Sequence, residues 1–225
     1  APLTAGLAIS PNGKHIAFTT TGADFSLWVQ DLDQDEPRRL AGTEGALLPF
    51  WSPDSEYIAF AAGSELRKIS VQGGASGLVC RLPGLEFYQG TFSPDGESIV
   101  FASGAAVQIS LFEVSSQGGS PQELIVPADV SETRGGGGSR PAFVPATNGR
   151  VLVFTAGNAG ASTMYAKNLD SGQTAALGLG DGALHRGGGR PGTVVRARAA
   201  PATAASAIEG RIASPIDYLA AAETR

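Results

Sequence analysis

Cysteine is nearly absent from this chain: Cys80 is the only one in 225 residues. That excludes an internal disulfide and any metal site built on several thiolates, though it assigns no redox compartment. Histidine is almost as scarce, with His15 and His185 alone. Neither has a His, Cys or carboxylate at ligand spacing, so neither metal nor cofactor is expected. Charged residues make up 16% and aromatics 7%, and no apolar run approaches the ~20 residues that cross a bilayer as a helix. A signal-peptide pattern is also missing and the first residue is Ala1 rather than Met, as expected of a fragment or mature region of something longer. The net charge is −5, and it divides into −8 for residues 1–183 and +3 for residues 184–225. An acidic body argues against nucleic acid as partner, because binding a phosphate backbone takes clustered Lys and Arg.

Turn formers are plentiful instead. With Gly at 31, Pro at 14 and 42% hydrophobic residues, the composition predicts many short strands around a packed core. The turns recur in phase. Ile9-Ser10-Pro11-Asn12-Gly13-Lys14 returns as Trp51-Ser52-Pro53-Asp54-Ser55-Glu56 and as Phe92-Ser93-Pro94-Asp95-Gly96-Glu97. A degraded fourth copy is Phe143-Val144-Pro145 with Asn148-Gly149-Arg150. The prolines lie 42, 41 and 51 residues apart, close to the length of a four-stranded propeller blade.

Each phrase has turn chemistry: Pro presets φ, Asp or Asn bonds its own backbone, and Gly accepts positive φ. A β-rich triplet follows every time: Ile16-Ala17-Phe18, Ile58-Ala59-Phe60, Ile99-Val100-Phe101 and Leu152-Val153-Phe154. Large residues two apart share a face, so each triplet is expected to bury a pair against the neighbouring blade. Third strands are expected at Leu27-Trp28-Val29, Leu66 to Ile69, Leu111 to Val114 and Met164-Tyr165-Ala166. Tight turns follow at Asp33-Gln34, Gly73-Gly74, Gly118-Gly119 and Ser171-Gly172, then short polar outer strands such as Arg38-Arg39-Leu40 and Glu123-Leu124-Ile125. Chance turns in a generic β-sandwich would not keep phase with three flanking strands. The expected fold is therefore all-β, a partial propeller of about four four-stranded antiparallel blades near residues 7–46, 47–85, 86–134 and 135–183.

The phrases from Ala8 to Leu40 and from Pro49 to Val79 resemble the TolB-like, WD40-like propeller repeat. Leu27-Trp28-Val29-Gln30-Asp31-Leu32, with Arg39 to Ala46 and Pro49 to Ser55, is similar to the C-terminal sensor propeller of acidobacterial-type membrane-anchored serine/threonine kinases. That resemblance implies a tethered, extracytoplasmic (periplasmic) module. It carries no kinase activity over, because the glycine loop, the catalytic-loop His-Arg-Asp and the Asp-Phe-Gly motif are missing. Ala23-Asp24-Phe25-Ser26 is only a superficial echo of the last. The same repeat builds the gating propeller of prolyl-oligopeptidase-like peptidases and the partner-binding propeller of TolB, which stand as alternatives. A downstream hydrolase with G-x-S-x-G would mark the peptidase, and a lone signal peptide would mark the TolB type.

The pattern stops after Ala183. Leu184-His185-Arg186-Gly187-Gly188-Gly189-Arg190 replaces the phrase a fifth blade would need. The Gly/Arg/Ala/Pro-rich stretch to Arg225 resembles a shifted reading frame or an appended tail, expected to be irregular. Within it, Ser214-Pro215-Ile216-Asp217 could cap a short helix near 215–222, and Ile208-Glu209-Gly210-Arg211 matches a protease tag site.

Candidate catalytic chemistry fails position by position. Asp31, Asp33, Asp35 and Glu36 form the one dense carboxylate cluster, but a calcium loop needs Gly at its sixth position and Glu at its twelfth, where Glu36 and Gly42 stand. Gly135 to Ser139 lacks the Lys of a phosphate loop, no G-x-S-x-G occurs, and Cys80 follows an apolar strand with only Arg81 as a nearby cation. Trp28 and Trp51 take repeat positions filled elsewhere by Phe112 and Tyr165 or by Phe92 and Phe143, which predicts packing for both. The chain is expected to be non-catalytic, with no catalytic, cofactor or metal residues. An unknown protein or small ligand is expected at the channel end of the propeller, and an open blade edge is expected to promote self-association.

Overall fold

In the computed structural model the described residues are 4–20, 25–84, 86–105, 108–124, 141–144, 147, 149–158 and 161–177. They form sixteen strands in four four-stranded antiparallel sheets, each built from four consecutive strands. Blade 1 holds β1 (Thr4–Ile9), β2 (His15–Thr20), β3 (Leu27–Asp31) and β4 (Arg38–Arg39). Blade 2 holds β5 (Ala46–Trp51), β6 (Tyr57–Ala62), β7 (Glu65–Ser70) and β8 (Gly77–Arg81). Blade 3 holds β9 (Glu86–Phe92), β10 (Ser98–Ala105), β11 (Gln108–Ser115) and β12 (Gln122–Leu124). Blade 4 holds β13 (Ala142–Phe143), β14 (Val151–Asn158), β15 (Ala161–Asn168) and β16 (Thr174–Leu177). This is the partial propeller that the repeat predicts.

The turn phrase folds the same way in blades 1, 2 and 3, and its serine does most of the work. The Ser10, Ser52 and Ser93 hydroxyls each accept the main-chain N–H five residues on, at 2.9 Å, and donate to the Asn12, Asp54 or Asp95 side chain. Those side-chain oxygens in turn accept the N–H of Lys14, Glu56 and Glu97, as an Asx turn does. Blade 4 has Val144 where the serine stands elsewhere. There Thr147 takes over, and its hydroxyl accepts the N–H of Val151 at 3.0 Å.

The core lies between blades. Ala17, Leu27 and Val29 of blade 1 pack on Trp51, Ile58, Phe60 and Ile69 of blade 2. Ala59, Ala61 and Leu66 of blade 2 pack on Phe92, Ile99 and Phe101 of blade 3. Val100, Ala102 and Leu111 of blade 3 pack on Leu152 and Phe154 of blade 4. Every second-strand triplet thus splits, its outer pair facing back and its middle residue facing forward, as period-two geometry requires. The tail 184–225, its expected helix near 215–222, Ile125, His185 and the Gly135–Ser139 run lie outside the described residues.

Candidate functional site

Two of the three hairpin turns in each blade lie at the same end of the arc, because antiparallel strands alternate direction. The first-to-second-strand turn and the third-to-fourth-strand turn are tied together there. The N–H of Leu32 donates to Lys14, that of Val71 to Glu56, that of Ser116 to Glu97 and that of Leu169 to Arg150, each at 2.8–2.9 Å. One bond, repeated in four blades, fixes the pair of loops as a unit.

The pair of loops is exposed and mostly acidic. Asp33, Asp35, Glu36, Asp54, Glu56, Asp95 and Glu97 all reach solvent at this end, against the exposed Lys14 and Arg150. Burial raises the Asp54 carboxyl, but the Ser52 hydroxyl, the Glu56 N–H and the Lys68 charge outweigh it and hold it below the ordinary carboxylate range. The Ser93 hydroxyl and the Glu97 N–H lower Asp95 likewise. Both stay ionised, so this end carries fixed negative charge on rigid turns. Arg150 lies 3.8 Å from Asp170 at this same end, and at the opposite end Arg39 pairs with Glu44 at 2.9 Å and Arg67 with Glu65 at 2.6 Å.

The residues singled out in the sequence fall apart in space. Asp31 ends β3, where it meets the His15 ring at 2.5 Å and Arg38 at 3.7 Å, while Asp33, Asp35 and Glu36 sit on the exposed turn beyond it. His15 stacks on Trp51, ring centroids 5.9 Å apart. The nearby Ser10 hydroxyl is engaged with Asn12 and the His15 main chain, so it serves the turn. Cys80 is buried, and burial pushes its thiol up to about 11, which makes it inert rather than nucleophilic. It borders an open groove of about 530 Å³ between β8 and the Gln117–Pro121 turn. Among the described residues no group of three or more His, Cys, Asp or Glu could hold a metal ion, and no helix is long and apolar enough to cross a membrane. Of the Asp-Phe-Gly echo, Ala23 and Asp24 lie outside the described residues, and the Ser26 hydroxyl accepts from Arg39 at 2.9 Å.

The two tryptophans differ in burial. Trp51 is buried, its indole N–H donating to the Ala8 carbonyl at 3.0 Å. Trp28 is only half-buried. Phe112 and Tyr165, at the same position of blades 3 and 4, are half-buried as well while packing against the cores between blades.

Four antiparallel blades stacked through their faces define a β-propeller arc, with its loops displayed at the two ends. Solved structures place it more narrowly. A putative TolB of Agrobacterium tumefaciens matches with TM-score 0.62 and 19% identity over 79% of this chain and 62% of that one. TolB of Acinetobacter baumannii matches with TM-score 0.59 and 18% identity over 77% of this chain and 42% of that one. A chain of the nidogen/laminin complex matches with TM-score 0.62 and 11% identity, over 79% of this chain and 65% of that one. The fold is thus similar to TolB-type propellers, and the chain spans less than two thirds of the length of these structures. No protein-family model and no curated protein matches the sequence.

Proposed function

We propose that this chain is a non-catalytic propeller scaffold that binds a protein partner through the paired turns at one end. What carries the proposal is the bond that ties the two loops of a blade together, repeated in four blades, which holds both loops at the same end. Binding surfaces on rigid scaffolds are built from such loops. Similarity to TolB supports an interaction module of this kind better than it supports a sensor. The finer reading, the extracytoplasmic sensor part of a membrane-anchored serine/threonine kinase, rests on the sequence resemblance around residues 27–55. So does the extracytoplasmic location.

The test is affinity capture with the full chain as bait, beside a Glu56→Lys/Glu97→Lys variant. Both side chains are solvent-exposed, so the variant keeps the fold. A partner identified with the parent chain should bind the variant roughly tenfold more weakly, about 1.4 kcal/mol. Equal binding by both chains removes the turn end as the site. A parent chain that hydrolyses a serine-hydrolase probe refutes the scaffold reading itself.

A further inference from the structure

Each sheet ends on an outer strand with no described strand beyond it, and the main-chain groups on such an edge are open to another chain. On β8 the alternation is fixed from one end. The Leu82 N–H turns inward and donates to the Ser64 carbonyl at 2.8 Å. The main chain of Arg81 therefore turns outward, that of Cys80 inward and that of Val79 outward. The Val79 carbonyl accordingly accepts the Gly119 N–H of blade 3 at 3.0 Å. The outward N–H and C=O of Arg81 have no such partner among the described residues.

The groove of about 530 Å³ between β8 and the Gln117–Pro121 turn opens beside this edge. A change of bridge between blades leaves the space. Arg38, in the outer strand of blade 1, donates to the Val71 carbonyl of blade 2 at 2.6 Å. Gly77 holds the matching position in blade 2, since Arg38 pairs with Val29 and Gly77 with Lys68, which lie opposite Ala17 and Ala59. Gly77 has nothing to reach across with. Lys68 of β7 donates instead to the matching Ser116 carbonyl at 2.7 Å. The bridge thus starts one strand further in, and Gly118 and Gly119 bring no side chains to fill what is left outside it.

The chemistry of the β8 wall is specific. A bulge sets Leu78 opposite Arg67 and Arg81 opposite Glu65, so Leu78 and Arg81 share a face although they are three residues apart. Both are exposed, Leu78 at 49%. Glu65 is committed to Arg67 at 2.6 Å. Arg81 forms no ion pair among the described residues, and no carboxylate lines the groove. A body of net charge −8 therefore carries one uncompensated cation here, beside an exposed leucine.

We propose that this groove takes an extended peptide of a partner protein, which adds to the β8 edge at Arg81 and sets a carboxylate on its guanidinium. Main-chain pairing at a sheet edge gives such a peptide affinity, and the flanking side chains give it sequence preference. The peptide residue opposite Arg81 directs its side chain to the guanidinium. The next residue on that face, two positions away, lies over Leu78. The favoured segment is an acidic residue two positions from an apolar one. A groove of this size falls within the ~300–1,000 Å³ of ligand sites. The chain's own stretch 184–225, at +3, matches the cation poorly. This rim site is also distinct from the acidic turn end, whose charge repels the same peptide.

The test titrates the full chain into a fluorescein-labelled hexapeptide pool with Glu fixed at one position and Leu two positions away. A second pool carries Lys in place of Glu. The acidic pool should bind saturably with Kd below about 1 mM, and the basic pool should not. Arg81→Glu should weaken the acidic pool roughly tenfold and gain the basic one, a swap that loss of fold cannot produce. Ser120→Trp, at an exposed position of the facing wall, should block the groove, and hydrogen exchange at the Arg81 N–H should slow on binding. Glu56→Lys/Glu97→Lys should not weaken this binding, so the rim site and the turn end fail separately. No saturable binding of the acidic pool, equal binding of both pools, or an Arg81→Glu variant that binds like the parent overturns the proposal. So does a parent chain that sediments as a dimer, and as a monomer after Arg81→Glu, because the groove then belongs to a second copy.

Discussion

At the residue scale the four turn phrases need one backbone position with positive φ, and three of them use glycine: Gly13 at 69°, Gly96 at 76° and Gly149 at 79°. Blade 2 places Ser55 there at 64°. A non-glycine residue in that region carries about 1–2 kcal/mol of strain, and something must offset it. The Ser55 hydroxyl is buried and accepts the N–H of Asn12 at 3.1 Å, a bond between the turns of adjacent blades. Ser55→Gly relieves the strain while losing that bond, so its cost should stay below about 1 kcal/mol. Ser55→Ala keeps the strain and strands the Asn12 donor, and should cost about 1–2 kcal/mol. Urea midpoints of the two variants check the ordering; an alanine variant as stable as the glycine variant would remove backbone strain at this position as the cause of the difference.

At the element scale the strands were legible because their signals are local. Ser-Pro-Asp-Gly specifies its turn within six residues, and Ile-x-Phe announces which side of β6 or β10 is large. Two features were not legible. Thr147 replaces the missing serine from three residues further along, so no fixed-offset pattern exposes it. The stacking of His15 on Trp51 joins two neighbouring blades, which no property of β2 or β5 alone encodes. Connections carry constraints of their own. Gly84, between β8 and β9, lies against the main chain of Gly104, and a Cβ there would sit 2.4 Å from its nitrogen. Backbone cannot swing aside as a side chain can. Gly84→Ala should therefore lower stability by about 1–3 kcal/mol. Gly77→Ala in β8, whose Cβ would meet nothing closer than 3.9 Å, should stay within about 0.5 kcal/mol. Equal urea midpoints for the two would contradict the close approach as the cause.

At the scale of the whole molecule, the functional site is the least local feature. Asp54 and Asp95 lie far apart in the sequence and share an end only because each blade repeats its strand directions. The acidic excess of the body was visible from composition; its segregation to one end was not, since that depends on which turns the sheets bring together.

Among the described residues every sheet is completed by four successive strands, and none borrows a strand from a distant part of the chain. This has a mechanical consequence. Because each blade touches only its neighbours, the chain is a series of springs rather than a closed loop. Pulled from its two ends in an optical trap, it should lengthen in discrete steps, each releasing one blade. During synthesis the same connectivity lets each sheet form as soon as its own strands have left the ribosome, with no wait for the last residues to arrive.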